Sequence, residues 1–340
     1  MSTEKPRLLT GDTPSGKLHL GHWVGSLENR VALQDDYDCY FLLANAHAYT
    51  TKSEQAKQIR QNTLDIAVDY LAAGIDPAKS TIFIETEVPA IFELATYVSM
   101  LVAFPRLMRN PTLKEEIRTK QLGENYSVGF TNYPILQIAD ILAFQAHIVP
   151  VGEDQVPLIE MAREVARRFN QLYFGVSSHT ADQDYIKQGG LFPIVDAKMG
   201  RAKRLVGLGG PDKDGRLIKM SKSLNNAILL SDDNDTIRKK VMGMYTDPKR
   251  LKATDPGSIE NNPLWIFHDV FNHDNKWLEE TKQRYQAGTI GDVDCKKKLI
   301  EVIVELLKPM QQRREQYAKD PGEILNILQK GSEKARQVTS

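Results

Sequence analysis

Cysteine is scarce in this chain of 340 residues, and the two that occur, Cys39 and Cys295, lie far apart in sequence. They form no CxxC pair and have no neighbouring histidine cluster, which disfavours both a disulfide framework and a zinc site. The longest largely apolar stretch, residues 91 to 104, is interrupted by Glu93 and is too short to span a bilayer. The first residues also lack the apolar core of a signal peptide. We therefore expect a cytoplasmic protein with no membrane contact.

The chain has no excess charge of either sign, since 44 Lys and Arg residues balance 44 Asp and Glu residues. This balance disfavours a protein that coats nucleic acid by bulk electrostatics, although it leaves room for a local basic patch. Hydrophobic residues make up 41% and charged residues 26%, which is typical of a globular protein and excludes disorder of the whole chain. At about 150 residues per domain, the length suggests two domains.

The first 90 residues alternate between short apolar runs and segments with helical spacing. Strands are predicted over residues 8–10, 39–43 and 81–84, with helices from Leu20 onward and over residues 53–73. The second helix is expected to begin with a capping box at Ser53 and to stop at Gly74. This alternation predicts a doubly wound α/β fold with a parallel sheet, whose ligands bind at the carboxyl ends of the strands.

The rest of the chain suggests where the two domains meet. A helical insertion is predicted over about residues 88–130, a further α/β unit over 133–151, a helix over 156–169, glycine-rich turns over 175–217, and helices alone after residue 231. An amphipathic helix with Leu299, Ile303, Leu306 and Leu307 on one face should end or kink at Pro309. Basic clusters along these last helices are interpreted as solvated helix faces. The predicted domains are residues 1–230 and 231–340.

The turn after the first strand contains Ser15 and Gly16 and leads to His19-Leu20-Gly21-His22 at the start of a helix. Free backbone N–H groups and the helix dipole make such a junction an anion site. His19 and His22 are three residues apart and point to the same side, where two N–H donors suit phosphate oxygens that gain charge. Simple helix capping by the two histidines is the alternative. The spacing of a P-loop is absent.

A second candidate site is Lys219-Met220-Ser221-Lys222-Ser223, which follows a glycine-rich stretch. Two lysines in a loop can close onto a triphosphate and neutralise charge as pyrophosphate leaves. A lysine pair alone is commonly a solvated surface feature. Its occurrence together with the His19–His22 segment favours a nucleotide site.

The two segments, HLGH and KMSKS, resemble the double signature of class I aminoacyl-tRNA synthetases. Residues 11–27, GDTPSGKLHLGHWVGSL, are similar to the opening of the tryptophanyl and tyrosyl subclass. GEDQ at 152–155 and YPILQIADIL at 133–142 resemble bacterial tryptophanyl-tRNA synthetases, above all their divergent second type. The resemblance implies a Rossmann catalytic domain, an α-helical anticodon-binding domain and a homodimer. It also implies activation of L-tryptophan with ATP and transfer to tRNA(Trp).

The resemblance further assigns the residues that act on ATP. Gly21 would allow close approach of the adenine, Asp154 would hold a ribose hydroxyl, and Lys114 would meet the phosphates or their metal. No carboxylate cluster suggests a built-in metal site, so Mg²⁺ is expected to arrive with ATP, and no prosthetic group is implied. The catalytic set is His19, His22, Lys114, Lys219, Lys222 and Ser223, and the ATP-binding set adds Asp12, Thr13, Ser15, Gly21, Gly152, Asp154, Met220 and Ser221.

Tyr133, Gln137 and Asp140 share one face of a predicted helix because they are four and three residues apart. In the family, the Asp at this place accepts the indole N–H of tryptophan, and residues matching Tyr133 and Gln155 hold the α-ammonium group. A carboxylate left without its donor is costly, so a ring that lacks the N–H is rejected. The set implied for tryptophan is Leu9, Gly11, His47, Tyr133, Gln137, Asp140, Val149, Val151 and Gln155.

Gln137 departs from the methionine that most bacterial tryptophanyl enzymes have there, and glutamine is typical of tyrosyl enzymes. Leu9 stands where tyrosyl enzymes place a tyrosine, which favours tryptophan. His47 fits either a pocket residue or a satisfied core histidine. A tyrosyl enzyme, a non-catalytic RNA-binding paralogue and an HxGH nucleotidyltransferase therefore stay open as alternatives.

Overall fold

The computed structural model describes residues 5–119, 123, 125–199, 205–222, 224–248, 250, 252 and 254–340, without the side chains of residues 119 and 154. Within these residues the strands form one parallel sheet in the order β3-β2-β1-β4-β5. The strands are β1 (Arg7–Asp12), β2 (Asp38–Leu43), β3 (Ser80–Ile84), β4 (Ile148–Val151) and β5 (Asp196–Met199). The predicted α/β class and the doubly wound parallel sheet are confirmed.

Helices cover both faces of the sheet and follow it towards the C-terminus, with loops between them. They are α1 (Leu20–His22), α2 (Glu28–Leu33), α3 (Asn45–Lys52), α4 (Ala56–Ala73), α5 (Pro89–Leu101), α6 (Phe104–Met108), α7 (Pro111–Thr119), α8 (Val128–Ala143), α9 (Val156–Phe174), α10 (Asn234–Met242), α11 (Pro263–Phe271), α12 (Asn275–Gln286), α13 (Asp292–Ala318) and α14 (Pro321–Thr339). A short π-helix, Trp23–Leu27, joins α1 to α2. In the part of the chain that is described, every helix is too short or too polar to cross a bilayer.

The central strands are apolar because both of their faces are covered, as is usual in parallel sheets. Cys39, Phe41 and Leu43 of β2 face one cluster of core side chains, and Tyr40 and Leu42 face the other. Burial raises the pKa of the Cys39 thiol to about 12. The edge strand β5 is mostly exposed and polar, DAKM in sequence. This strand lies within residues 175–217, where the sequence indicated glycine-rich turns and no strand was predicted, because β5 carries no apolar run to signal it.

One local prediction is wrong, and of the two outcomes predicted for Pro309, an end or a kink of the helix, the end is excluded. The expected capping box at Ser53 is absent, because α4 begins at Ala56 and its N-cap Gln55 makes no side-chain capping bond. Pro309 does not end α13, which continues to Ala318. Pro309 lies on the exposed face of this helix, where water can satisfy the carbonyl that loses its N–H partner. Gly74 does end α4, in the left-handed conformation that favours glycine.

The basic clusters of the last helices are partly structural. Lys296 is buried and donates to the carbonyls of Met242 and Met244 at 3.2 and 2.7 Å. Arg250 is also buried and pairs with Asp292. Both side chains stabilise the packing of helices α10 to α13, so the prediction of solvated faces is wrong for them.

The last helix packs on the edge of the sheet. Gly331 of α14 lies so close to β3 that an added Cβ would meet the carbonyl oxygen of Ile82 at 1.9 Å. Ser332, the next residue, accepts the N–H of Ile84 at 3.2 Å. The C-terminal helix therefore covers the outer strand, and a side chain larger than hydrogen cannot be placed at position 331 without a shift.

We expect Gly331→Ala to lower the free energy of unfolding by about 2 kcal/mol, because the overlap with Ile82 outweighs the gain of about 1 kcal/mol in helix propensity. Urea unfolding followed by circular dichroism measures the change. Gly209→Ala is the matched control, because nothing lies within 4 Å of its added Cβ. A Gly331→Ala protein as stable as the wild type would contradict the tight contact.

Candidate active site

A cavity of about 630 Å³ opens at the carboxyl ends of β1 and β4. These neighbouring strands lead to opposite sides of the sheet, which is the place where doubly wound folds bind ligands. The structure brings most of the predicted residues together here. Those that line the cavity are Leu9, Gly11, Asp12, Thr13, Ser15, His19, Gly21, His22, His47, Tyr133, Gln137, Asp140, Val149, Val151, Gly152, Gln155, Lys219 and Met220.

The histidines of the first signature cap the helix that they begin. His19 is the N-cap of α1, and its Nδ1 accepts the N–H of Gly21 at 3.1 Å. The Nδ1 of His22 in turn accepts the N–H of His19 at 3.1 Å. Gly21 is needed because an added Cβ would lie 2.9 Å from the His19 ring. Capping and ligand binding are therefore compatible, because each ring still has its Nε2 for a ligand.

The two rings are neutral donors. Burial above all, together with His22, Lys222 and Lys219, lowers the pKa of His19 to about 2. Burial also lowers the pKa of His22 to about 4, against the opposing effect of Asp12. A neutral imidazole whose Nδ1 accepts carries its proton on Nε2. Both Nε2–H groups are thus available to an anion at the edge of the sheet.

The second signature lies against the first. Lys222 Nζ is 3.4 Å from Ser15 Oγ, and burial lowers the pKa of this lysine. The backbone of His19 forms a bridge with that of Leu229, which follows the second signature. The two segments, some 200 residues apart in sequence, therefore form one cationic and N–H-rich end of the cavity.

A buried ion pair between Arg30 and Asp12 lies beside this end of the cavity. Arg30 of α2 donates to Asp12 at 2.7 Å and to Tyr70 at 2.8 Å, and Tyr70 donates to Asp12 at 2.7 Å. Burial alone would raise the pKa of Asp12, but Arg30, His22 and Tyr70 together lower it to about 2. Asp12 is therefore an ionised carboxylate at the end of β1, and its Oδ2 accepts from both Arg30 and Tyr70.

The opposite end of the cavity is apolar and ends on a carboxyl group. Tyr133, Gln137 and Asp140 face it from α8, as predicted, and Leu9 lies opposite on β1. Both oxygens of Asp140 are buried and have no hydrogen-bond partner among the described residues. Burial first, and then the charge of Glu85, raises the pKa of Asp140 well above its usual range. A ligand that donates an N–H to Asp140 would satisfy this group.

Glu85 is a fully buried carboxylate next to Asp140 that sequence reasoning missed. It accepts the N–H of Ala46 at 2.8 Å and lies 2.8 Å from Nδ1 of His47. A ring nitrogen of His47 and carboxylate oxygens of Glu85 and Asp140 lie within 4.8 Å of one another. Imidazole and carboxylate groups are common metal ligands. The hydrogen bond between His47 and Glu85 nevertheless explains why these two side chains lie together, without an ion.

Some predicted residues are not in the cavity. Lys114 is exposed on α7 and does not line it, whereas Glu116 of the same helix does. Ser221 and Lys222 are outside the lining as well, although Lys222 contacts Ser15. Ser223 lies outside the described residues, and so does the side chain of Asp154.

Arg30 was missed because a lone arginine on a helix is usually exposed. Glu85 had a usable signal: it comes directly after the apolar run of β3, at the same edge of the sheet as the other site residues. A polar residue at the carboxyl end of a parallel strand is a candidate site residue in this fold class.

The comparisons with known proteins cover nearly the whole chain. The family described as tRNA synthetases class I (W and Y) matches residues 1–308. The tryptophan–tRNA ligase of Streptococcus pneumoniae is 48% identical over 98% of this chain and 94% of its own. That of Streptococcus agalactiae is 46% identical over 99% of this chain and 95% of its own. The Campylobacter jejuni tryptophanyl-tRNA synthetase, solved with ADP and tryptophan, has a TM-score of 0.80 at 29% identity over 98% of this chain and 96% of its own.

We expect Asp12→Asn to lower the free energy of unfolding by about 3 kcal/mol at neutral pH, because it leaves the buried Arg30 without its counter-charge. A carboxylate with a lowered pKa stabilises the fold above its unfolded-state pKa of 3.8, and that stability is lost as the pH falls towards about 2. The difference between wild type and variant should therefore stay constant above about pH 5 and shrink below about pH 4. Urea unfolding at a series of pH values measures it.

Asp35→Asn is the matched control, because it removes one partner of the exposed ion pair with Lys79. Exposed ion pairs contribute little to stability, so we expect Asp35→Asn to lower the free energy of unfolding much less than Asp12→Asn does. An equal loss in the two variants, or a loss in Asp12→Asn that does not depend on pH, would contradict the assigned ion pair.

Proposed function

The chain belongs to the class I tRNA synthetases for tryptophan and tyrosine, and we propose that it joins L-tryptophan to tRNA(Trp) in the cavity between β1 and β4. One observation carries this proposal. A single cavity connects an anion-binding junction, formed by His19, His22 and Lys219, to an apolar end that closes on the carboxyl group of Asp140. Such a cavity can hold a triphosphate and an aromatic amino acid together.

In the first step, the tryptophan carboxylate attacks the α-phosphate of ATP and pyrophosphate leaves. The Nε2–H groups of His19 and His22 and the ammonium groups of Lys219 and Lys222 stabilise the charge that develops on the phosphate oxygens. In the second step, a terminal ribose hydroxyl of the tRNA takes the aminoacyl group from the adenylate. No covalent enzyme intermediate is needed, because positioning and charge stabilisation are enough.

Selection of tryptophan follows from the apolar end of the cavity. The indole N–H donates to Asp140, and Tyr133 and Gln155 hold the α-ammonium group. A ring without the N–H leaves a buried carboxyl unsatisfied, which is costly. Leu9 offers no partner for the hydroxyl of tyrosine, and Gln137, which lines the same cavity as Tyr133, helps to hold the amino group. Smaller side chains lose apolar contacts.

We also propose that Mg²⁺ enters on the phosphates of ATP. Asp12, at the phosphate end of the cavity, has its Oδ2 engaged by Arg30 and Tyr70. Phosphate oxygens and water would supply ligands for the ion, and its charge would assist the departure of pyrophosphate.

The remaining partners are proposed on the exposed surfaces. Helices α10 to α14 would bind the anticodon, and Arg238, Lys239 and Lys297 are exposed there. Tyr97, Met100 and Phe104 form an exposed apolar patch on α5 and α6, 53%, 72% and 65% accessible, which supports a homodimer. The domain division at residue 230 stays part of this proposal. ATP and tRNA as substrates favour a cytoplasmic location.

The test is amino-acid-dependent exchange of pyrophosphate into ATP with each of the twenty amino acids at sub-saturating concentration. We expect exchange with tryptophan alone. The benzothiophene analogue of tryptophan, in which sulfur replaces the indole N–H, should lose about 100-fold or more in kcat/KM. Charging of tRNA(Trp) then tests the second step. Preference for tyrosine, or an analogue as good as tryptophan, would contradict the assigned pocket, and no exchange at all would contradict an enzyme.

His19→Asn separates catalysis from helix capping. Asparagine is a good N-cap, so the thermal midpoint should stay close to that of the wild type. Its side chain cannot replace the Nε2–H donor, so kcat for exchange should fall about 100-fold with little change in KM for tryptophan. His179→Asn, at an exposed histidine outside the cavity, is the control. A lower thermal midpoint with kcat unchanged would show that His19 is a cap alone.

A further inference from the structure

Glu85 is a buried ionisable group beside the cavity, and the proposed reaction does not use it. It begins the short turn Glu85–Glu87 after β3, and its side chain is fully buried. The turn is attached to the start of α3 by a reciprocal pair of hydrogen bonds, from Asn45 Nδ2 to Thr86 Oγ1 at 2.8 Å and from the Thr86 N–H to Asn45 Oδ1 at 3.1 Å. Glu85 is thus held between the sheet edge and α3, beside the amino-acid end of the cavity.

Each oxygen of Glu85 has its own donor. One accepts the N–H of Ala46 at 2.8 Å, and the other lies 2.8 Å from Nδ1 of His47. A carboxylate has no proton to give, so Nδ1 of a neutral His47 must carry the proton and Nε2 must carry the lone pair. Nε2 of His47 is buried and has no hydrogen-bond partner among the described residues.

The opposite tautomer would change the cavity. A ring nitrogen of His47 lies within 4.8 Å of a carboxylate oxygen of Asp140, whose oxygens are also without a partner in the described part of the chain. If the proton were on Nε2, the ring would add an N–H donor to this part of the cavity. That N–H could donate to Asp140 in place of a donor on the ligand. With the proton held on Nδ1, the His47 ring offers an acceptor at Nε2 and does not compete with a ligand N–H for Asp140.

We propose that Glu85 is a positioning residue for amino-acid selection, which fixes His47 in its Nδ1–H tautomer and so leaves Asp140 free to accept the N–H of the bound side chain. This inference rests on the proposed function, because it assigns Asp140 to the indole. The titratable groups near Asp140 are His47 from α3 and Glu85 from the turn after β3. Tyr133, on the helix of Asp140, is near Glu116.

The first test is Glu85→Gln, which keeps the shape but has one acceptor oxygen. Whichever way the amide is turned, an N–H₂ group then faces either Ala46 N–H or His47 Nδ1–H. We expect KM for tryptophan in pyrophosphate exchange to rise about tenfold while KM for ATP stays unchanged. Glu87→Gln is the matched control, since Glu87 lies two residues away with its side chain 57% exposed, and should leave both values unchanged.

A double-mutant cycle tests whether Glu85 acts through His47. In the His47→Asn background, Glu85→Gln should add no further rise in KM for tryptophan, because the ring that it orients is gone. Additive effects, or a parallel rise in KM for ATP, would overturn the proposal. If the wild type shows no tryptophan-dependent exchange, the proposed function fails, and the tautomer must be measured directly.

The wild-type protein provides that direct measurement, which does not depend on the folding of any Glu85 variant. Proton–nitrogen correlation spectra of ¹⁵N-histidine-labelled protein at about pH 8 distinguish the two neutral tautomers. We expect Nδ1–H for His47 and Nε2–H for His19 and His22 in the same spectrum, assigned by the signals lost in single His→Asn variants. An Nε2–H tautomer at His47 would overturn the proposal even if exchange with tryptophan is normal.

Discussion

The buried contact of Arg30 with Asp12 joins α2 to the carboxyl end of β1, and the position of the site depends on it. Arg30 also reaches the carbonyl of Gly11 and the hydroxyl of Tyr70, so strand, helix and the neighbouring α4 meet at one charge. The pair holds the strand-to-helix junction in place, and the N–H groups of that junction can then point at an anion. A cation on the surface could not do this, because solvent would screen it and leave the helix start free to move.

Histidines line both ends of the cavity, and the group at Nδ1 differs between them. Backbone N–H groups occupy Nδ1 of His19 and His22, so the Nε2–H of each ring is left for a ligand. A carboxylate lies at Nδ1 of His47, which in the proposed tautomer leaves Nε2 as an acceptor. The group at Nδ1 thus decides whether a neutral ring attracts an anion or an N–H donor. In the proposed function, one residue type serves both substrates for this reason.

Sequence reasoning could predict the parts of the fold that depend on local pattern. Apolar runs predicted β1 to β4. The spacing of Tyr133, Gln137 and Asp140 predicted that they share one helix face, and all three line the cavity. It could not predict β5, because a polar edge strand has no apolar run. It also could not predict Arg30 or Glu85, because their partners come from other elements: Glu85 contacts His47 from 38 residues away. Burial of a charge is decided by tertiary contact, which a single sequence does not display.

The C-terminal helices contact the residues that support the site, although they lie outside the cavity. Asp69 of α4 is fully buried and accepts the N–H of Leu18, next to His19, at 2.7 Å. Its other oxygen is paired with Arg314 of α13. If Arg314 moved away, the buried carboxylate of Asp69 would lose its counter-charge, and the fold would be destabilised next to the first signature. A helical domain joined to the sheet by a linker alone would have no such effect. Arg314, some 300 positions further along the chain, thus stabilises the geometry of the phosphate end. A change in the packing of α13 would alter the contact of Arg314 with Asp69, and through Leu18 the position of His19.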